Sequence, residues 1–387
     1  MKKYFMKILL FFLLICLLAS CKKEKMSSSY HCKLEATESI KKFFLDSDVR
    51  YNAFYLFTFN NGKGKEYLSF LNYRTNQILF YDFATSKFLF KLKLNSEGPN
   101  GVVQPTGFYI KDFDNIYVSS YAYNGLMKVD TLCNLIQKIP YGMTSTGYKV
   151  IPSYNPSSHP YIPPVVIDNK IYITQNAVNH FHPIAETPLS VIIDTVYKKC
   201  ESLSLTYDIL TADELQANDS RFSRAYNGKE FIYSFYVSED IIVASIDHSE
   251  IKKIKVKSKY IDSPTARQED TEKGPKLNLE LARYGDLIYD PYREVYYRFA
   301  YPKTTLEDNI NWWGKAVYGR KKFSVIILDK DYQIIGETLF PESIYNSYVS
   351  FVQKDGLYIS RDYQMLYGGN EDYMSFELFN LADIEKK

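Results

Sequence analysis

Two strand-like segments recur together along this chain, and their recurrence limits the fold more than any single residue does. One carries a tyrosine in an apolar run: EYLSFLN, IYVSSY, IYITQN, IYSFYV, VYYRFA and LYISRD, with Tyr67, Tyr117, Tyr172, Tyr233, Tyr296 and Tyr358. The other follows it: an apolar run ending in Asp or Asn, a turn, then a further apolar or mixed strand. Its anchors are Asp82, Asp130, Asp194, Asp247, Asp329 and Asn380. The first copy, residues 66–101, reads as strands YLSFL, QILFYD and FLFKLKL joined by the polar turns NYRTN and FATSK. Short aromatic and aliphatic runs punctuated by Asn, Thr and Ser are strand and hairpin signals. An Asp at a strand end also has a local task, accepting hydrogen bonds from the next backbone N–H groups as an Asx-turn.

Six such pairs in phase describe six similar sheets of three or four strands. A sheet that cannot bury both faces alone does so by stacking on its neighbours, and radial stacking leaves only short edges. The expected fold is therefore all-β, a six-bladed β-propeller. Aromatic residues make up 16% of the chain, with 36 Tyr and 25 Phe, which favours strands over helices. Most intervals between anchors exceed the roughly 40–50 residues of familiar propeller repeats. The excess falls in residues 144–164, 206–228 and 259–280, rich in Pro, Gly, Ser, Asp and Asn, where only ADELQAND has helical character. Two β-sandwich domains would need a linker near the middle, and no stretch stands out as one. The segment SIKKFFLDSD precedes the first copy as a lone strand, and is expected to supply the outer strand of the sixth blade and close the ring.

The first twenty residues are read as an export signal. Lys2, Lys3 and Lys7 form a basic start, and Ile8 to Leu18 is an apolar run too short to span a bilayer. Leu18, Ala19, Ser20 and Cys21 then resemble a lipobox, in which the Cys21 thiol accepts a diacylglycerol. One acyl chain anchors marginally and stable anchoring takes two signals, which a multiply acylated Cys21 would provide. Residues 21–37 are expected to be a tether and residues 38–387 the propeller. The residues after Cys21 are basic rather than acidic, which favours a periplasm-facing protein on a membrane, the outer one in a two-membrane envelope. Loss of three lysines with the signal leaves acids and bases nearly equal, poor material for a phosphate-binding surface, so no nucleic-acid partner is expected.

At EYLSFLN, with NQILFYD after it and SEGPNGV closing the unit, the chain resembles an uncharacterised family of bacterial lipoproteins of the domain-of-unknown-function type, related to TolB-like six-bladed propellers. The most specific piece is Glu97 to Gly101. The resemblance implies a propeller fold and membrane anchoring, and it carries no catalytic residues.

Candidate chemistry is sparse. In the Glu97 to Gly101 turn, Glu97 and Asn100 are candidates to meet a ligand at the axial mouth, beside the plainer reading as a tight connection. His180 and His182 in NHFHP, with His159, offer nitrogen ligands to a metal, though their convergence is not given by spacing. Trp312 and Trp313 in DNINWWGKAVYGR could stack on a sugar or anchor a peptide, or else cover a sheet edge. Arg283 and Arg361 are further candidates for the axial face. Cys32, Cys133 and Cys200 follow the lipobox cysteine, and a Cys133–Cys200 bridge would have to join outward-diverging hairpins. No G-x-S-x-G, H-E-x-x-H, P-loop or Rossmann fingerprint occurs, so no catalytic residue and no cofactor is assigned. These features describe a membrane-anchored binding or scaffolding module for a protein, peptide or glycan at the cell envelope. The alternative is an axial metal-dependent hydrolase of the lactonase kind.

Overall fold

The computed structural model describes residues 30–49, 56–152, 162–176, 183–216, 220–265, 274–313, 315–368 and 371–384. The first strand, β1 (Cys32–Phe44), precedes six antiparallel runs. Four are separate sheets taken in chain order. They are β2 (Leu56–Asn60), β3 (Glu66–Asn72), β4 (Gln77–Asp82), β5 (Phe88–Lys93); β6 (Pro105–Asp112), β7 (Asn115–Ser120), β8 (Tyr123–Val129), β9 (Leu135–Pro140); β10 (Val165–Ile167), β11 (Lys170–Thr174), β12 (Ser190–Asp194), β13 (Lys199–Ser202); and β14 (Phe222–Tyr226), β15 (Glu230–Phe235), β16 (Asp240–Ser245), β17 (Ile251–Lys255). The rest form one eight-stranded sheet. In it β18 (Arg283–Asp290), β19 (Val295–Tyr301), β20 (Ser324–Leu328) and β21 (Ile334–Leu339) adjoin the run β22 (Asn346–Gln353), β23 (Gly356–Ser360), β24 (Tyr373–Asp383), β1.

The join between those two runs is slight: β1 and β21 share one parallel bridge, Cys32 to Gly336. A side chain at Gly336 would put its Cβ 2.1 Å from the Cys32 carbonyl oxygen, so glycine is what lets the strands meet. β1 otherwise pairs antiparallel with β24 along both halves, from Cys32–Asp383 to Phe44–Tyr373. The lone N-terminal strand therefore does complete the last run. It begins at Cys32, inside the stretch expected to be tether.

Burial explains the residue types. Second and third strands are covered on both faces and read as nearly unbroken apolar runs, such as EYLSFLN and QILFYD. In the four separate sheets the fourth strands are outer edges, and FLFKLK and IKKIK expose lysines there, which discourages pairing with another chain. The six tyrosines of the repeat all lie in second strands, and all are buried.

Five of the six anchors close the turn between third and fourth strands. Asp82 accepts from the Thr85 N–H at 2.9 Å, Asp130 from Leu132 and Asn134, Asp194 from Val196 and Tyr197, Asp247 from Ser249, and Asp329 from Asp331 and Gln333. Such bonds stabilise the ionised carboxylate and hold Asp82 and Asp247 down at about 2, at Asp247 chiefly through the Ser245 hydroxyl, which donates at 2.7 Å. Asn380 differs because it lies within β24, opposite Glu35 of β1. No turn is needed there, since the fourth strand comes from the start of the chain.

The apolar cores lie between runs. One cluster joins the first run to the second through Leu71, Phe80, Phe108 and Val118, and others join each run to the next. A last cluster joins the sixth run to the first through Phe43, Tyr81, Phe351 and Phe376. Buried arginines reinforce two of these interfaces. Arg224 on β14 donates to the Tyr172 and Pro163 carbonyls and to Ser190 Oγ, all at 2.9 Å. Arg298 on β19 donates to the carbonyls of Val256 and Ser238 at 2.7 Å, to that of Glu239 at 3.0 Å and to Ser234 Oγ at 2.9 Å, with its guanidinium 3.8 Å from the Tyr284 ring centroid.

Among the described residues two short α-helices occur in the connections, α1 (Ala212–Gln216) and α2 (Gly274–Glu280). α1 falls in ADELQAND as expected. α2 had no clear signal, because GPKLNLE looks like the end of a polar loop. Cys32, Cys133 and Cys200 are buried free thiols in three different core clusters.

Candidate functional site

In an antiparallel four-stranded run, the first and third turns share one end. The second turn and the link to the next run share the other. The long connections, from β9 to β10, β11 to β12, β13 to β14, β17 to β18, β19 to β20 and β23 to β24, all leave and rejoin the strands at this second end. The clearest chemical arrangement there is built on β18.

β18 is not regular. Its pairing with β19 shifts between Tyr284 and Leu287, leaving Gly285 and Asp286 in a bulge. Bulges re-aim side chains and favour ligand sites. Gly285 is required for close approach: a Cβ there would lie 2.4 Å from the Tyr301 ring. Ser223 of β14 holds the bulged backbone, accepting from the Leu287 N–H at 2.8 Å.

The bulge buries the Asp286 carboxyl, which is 2% exposed. Its Oδ1 accepts a hydrogen bond from the Tyr236 hydroxyl at 3.0 Å, while Oδ2 has no hydrogen-bond partner. Burial pushes this carboxyl up to about 7, against the opposing pull of the Tyr236 hydroxyl and the Arg221 charge. The Arg221 guanidinium lies 5.2 Å from the Tyr236 ring centroid. On the other side Tyr301 is fully buried, faces the Arg320 guanidinium at 4.9 Å and meets Tyr348 edge-on at 5.9 Å. Arg320 is tied down by the Asn278 carbonyl at 2.5 Å and by that of Leu281. Burial lowers its pKa, and the nearby Arg221 charge lowers it further. Arg221, Tyr236 and Tyr348 are half-buried and carry the cluster to the surface.

The residues singled out from sequence scatter around this end. Arg283 starts β18 and is buried beside the cluster, reaching the Thr265 carbonyl at 3.5 Å. Arg361 pairs with Glu377 at 3.3 Å, and Glu377 also accepts from the Tyr345 hydroxyl at 2.9 Å. Trp312 is a packing residue rather than a ligand contact. It is 4% exposed, lies against Leu279 and Leu306, and donates its indole N–H to the Glu307 carbonyl at 3.0 Å. Trp313 is exposed. Glu97 is exposed and Asn100 half-buried in the link from the first run to the second, where Gly98 has a φ of 84° and Gly101 N–H bonds to the Gly98 carbonyl at 2.9 Å. His159, His180 and His182, like Cys21, lie outside the described residues. Among the described residues no group of three or more His, Cys, Asp or Glu is placed to hold a metal.

Asp286, Tyr236 and Arg221 were missed. A signal existed in RYGDLIYD: a glycine inside a strand run marks a bulge, and an Asp beside it conflicts with burial.

Two solved structures share this fold. A member of the DUF4221 family from Bacteroides vulgatus is 24% identical, with a TM-score of 0.77, covering 92% of this chain and all (100%) of its own. A candidate exported protein of Bacteroides fragilis is 10% identical, with a TM-score of 0.53, covering 92% of this chain and 96% of its own. No curated protein sequence matches the chain. The model of a domain of unknown function, DUF4221, matches residues 32–339, most of the chain, and the chain therefore belongs to that family.

Proposed function

We propose that this protein is a six-bladed β-propeller, held at the cell envelope by lipidation of Cys21, that acts as a binding or scaffolding module. The six four-stranded runs are the blades, β1 closes the ring, and the cluster around Asp286 marks the binding end. The observation carrying the binding role is the gathering at one end of the long connections and of a buried, half-satisfied polar cluster that opens to solvent through Arg221, Tyr236 and Tyr348. A fold maintains such a group at a cost in stability, and ligand sites are where that cost is commonly found. The envelope location draws support from the export-type N-terminus and from the candidate exported protein among the structural neighbours. Among the described residues no helix is long and apolar enough to cross a membrane.

The test is site-specific photo-crosslinking in cells, with the crosslinking amino acid placed at Trp313 or at Tyr197. Both are exposed, and they belong to opposite ends of the runs. A partner captured from Trp313 and not from Tyr197 is expected. Capture from neither position, or equally from both, would refute a binding end at the long connections.

A further inference from the structure

We propose that the Asp286 carboxyl, with Tyr236 and Arg221 beside it, contacts a neutral, hydroxyl-bearing ligand of the saccharide class. This rests on the binding-module reading above and adds the chemistry of its ligand.

Oδ2 of Asp286 is buried and lacks a donor, although the strand carrying it is bulged in a way that only glycine at 285 permits. A buried carboxylate oxygen without a donor is destabilising, and each such atom calls for water, an ion or a ligand. The neighbouring charges then narrow the choice. A cationic ligand would meet Asp286 but also Arg221 and Arg320, two guanidiniums close enough to repel each other. An anionic ligand would meet the arginines but also Asp286.

A hydroxyl group suits both signs at once. It donates to a carboxylate oxygen and accepts from a guanidinium, so adjacent hydroxyls can address Asp286 and Arg221 together. The half-buried rings of Tyr236 and Tyr348 lie where the cluster reaches solvent and add apolar surface on which sugar C–H groups pack, with the buried Tyr301 behind them.

Calorimetric titration of the full mature chain in detergent tests this, using maltohexaose, cellohexaose, xylohexaose, mannohexaose and chitohexaose, with inorganic phosphate and tetramethylammonium as charged probes. At least one saccharide should bind. Asp286→Asn should weaken it tenfold or more, Tyr236→Phe severalfold, and Asp194→Asn at the opposite end should leave it unchanged. Should Asp286→Asn fail to fold, Tyr236→Phe decides, since it removes one hydroxyl only. The proposal is overturned if no saccharide binds, if only a charged probe binds, or if a folded Asp286→Asn retains parental affinity. In each of these cases crosslinking from Trp313 reports separately whether the wider binding-module reading survives.

Discussion

Replacing Arg298 by methionine should destabilise the whole fold, and the structure sets the size of the effect. The guanidinium is fully buried and reaches across an interface into the preceding run, where it donates to the carbonyls of Val256, Ser238 and Glu239 and to Ser234 Oγ. Among the described residues no carboxylate forms an ion pair with it, although the Asp240 and Glu239 charges favour its ionised form. Burial lowers its pKa to about 10, so it remains charged at neutral pH. Methionine fills much of the same volume and donates nothing, leaving at least two closely bonded carbonyls without a donor. Each orphaned buried group costs about 1–3 kcal/mol. The loss of ring contact with Tyr284 adds about 1 kcal/mol. Relief of the buried charge offsets part of this, for a net loss of about 4 kcal/mol, in the range for breaking a buried charged network. With an unfolding entropy of about 2.1 cal/mol/K per residue over roughly 350 ordered residues, that lowers Tm by about 5–6 °C. Arg298→Lys should fall between, because one ammonium cannot span the same carbonyls. The assay is thermal unfolding by circular dichroism, checked by urea titration with an unchanged slope. A methionine variant melting within about 1 °C of the parent would show that the carbonyls find other partners and that Arg298 does not join the runs.

In the fold the Asp286 carboxyl is raised to about 7, so the stability it contributes is fully present below about pH 4 and is lost as pH rises through about 7. Asp286→Asn should remove that part of the pH dependence, on the order of 4 kcal/mol between pH 4 and pH 8, and parallel stability profiles would contradict the buried assignment. Deleting residues 38–46 takes away Phe43, which is fully buried against Tyr81 and Phe376. That loss alone corresponds to about 3–5 kcal/mol, and a variant as stable as the parent would refute closure by β1. Gly336→Val should push β1 off β21 and cost about 1–3 kcal/mol, read as a lower melting temperature. Cys21→Ala should move the protein from the membrane to the soluble fraction, and an unchanged distribution would end the lipoprotein reading.

Much of the scaffold was legible because strand signals are local. Tyr67 and its five counterparts announce second strands, and an Asp after an apolar run announces a turn whose bonds reach only two to four residues ahead. Even the misfit at Asn380 is informative, since it marks the run whose fourth strand comes from elsewhere. The adjacent tryptophans could not be told apart by such means. One packs on Leu279 and Leu306 and the other faces solvent, and only the position of α2 separates them.

The amino-acid order alone determined the strand class, the number of repeats and the turns, because each depends on contacts within a few residues. Only the tertiary structure decided which polar groups meet. Asp286, Tyr236, Arg221, Tyr301 and Arg320 lie far apart in the chain, and a one-residue bulge on β18 brings them together. That bulge is held by packing of Tyr301 on Gly285 and by Ser223 from another sheet. Local preference cannot encode such a meeting, because its energy comes from excluding water between segments that become neighbours only after folding.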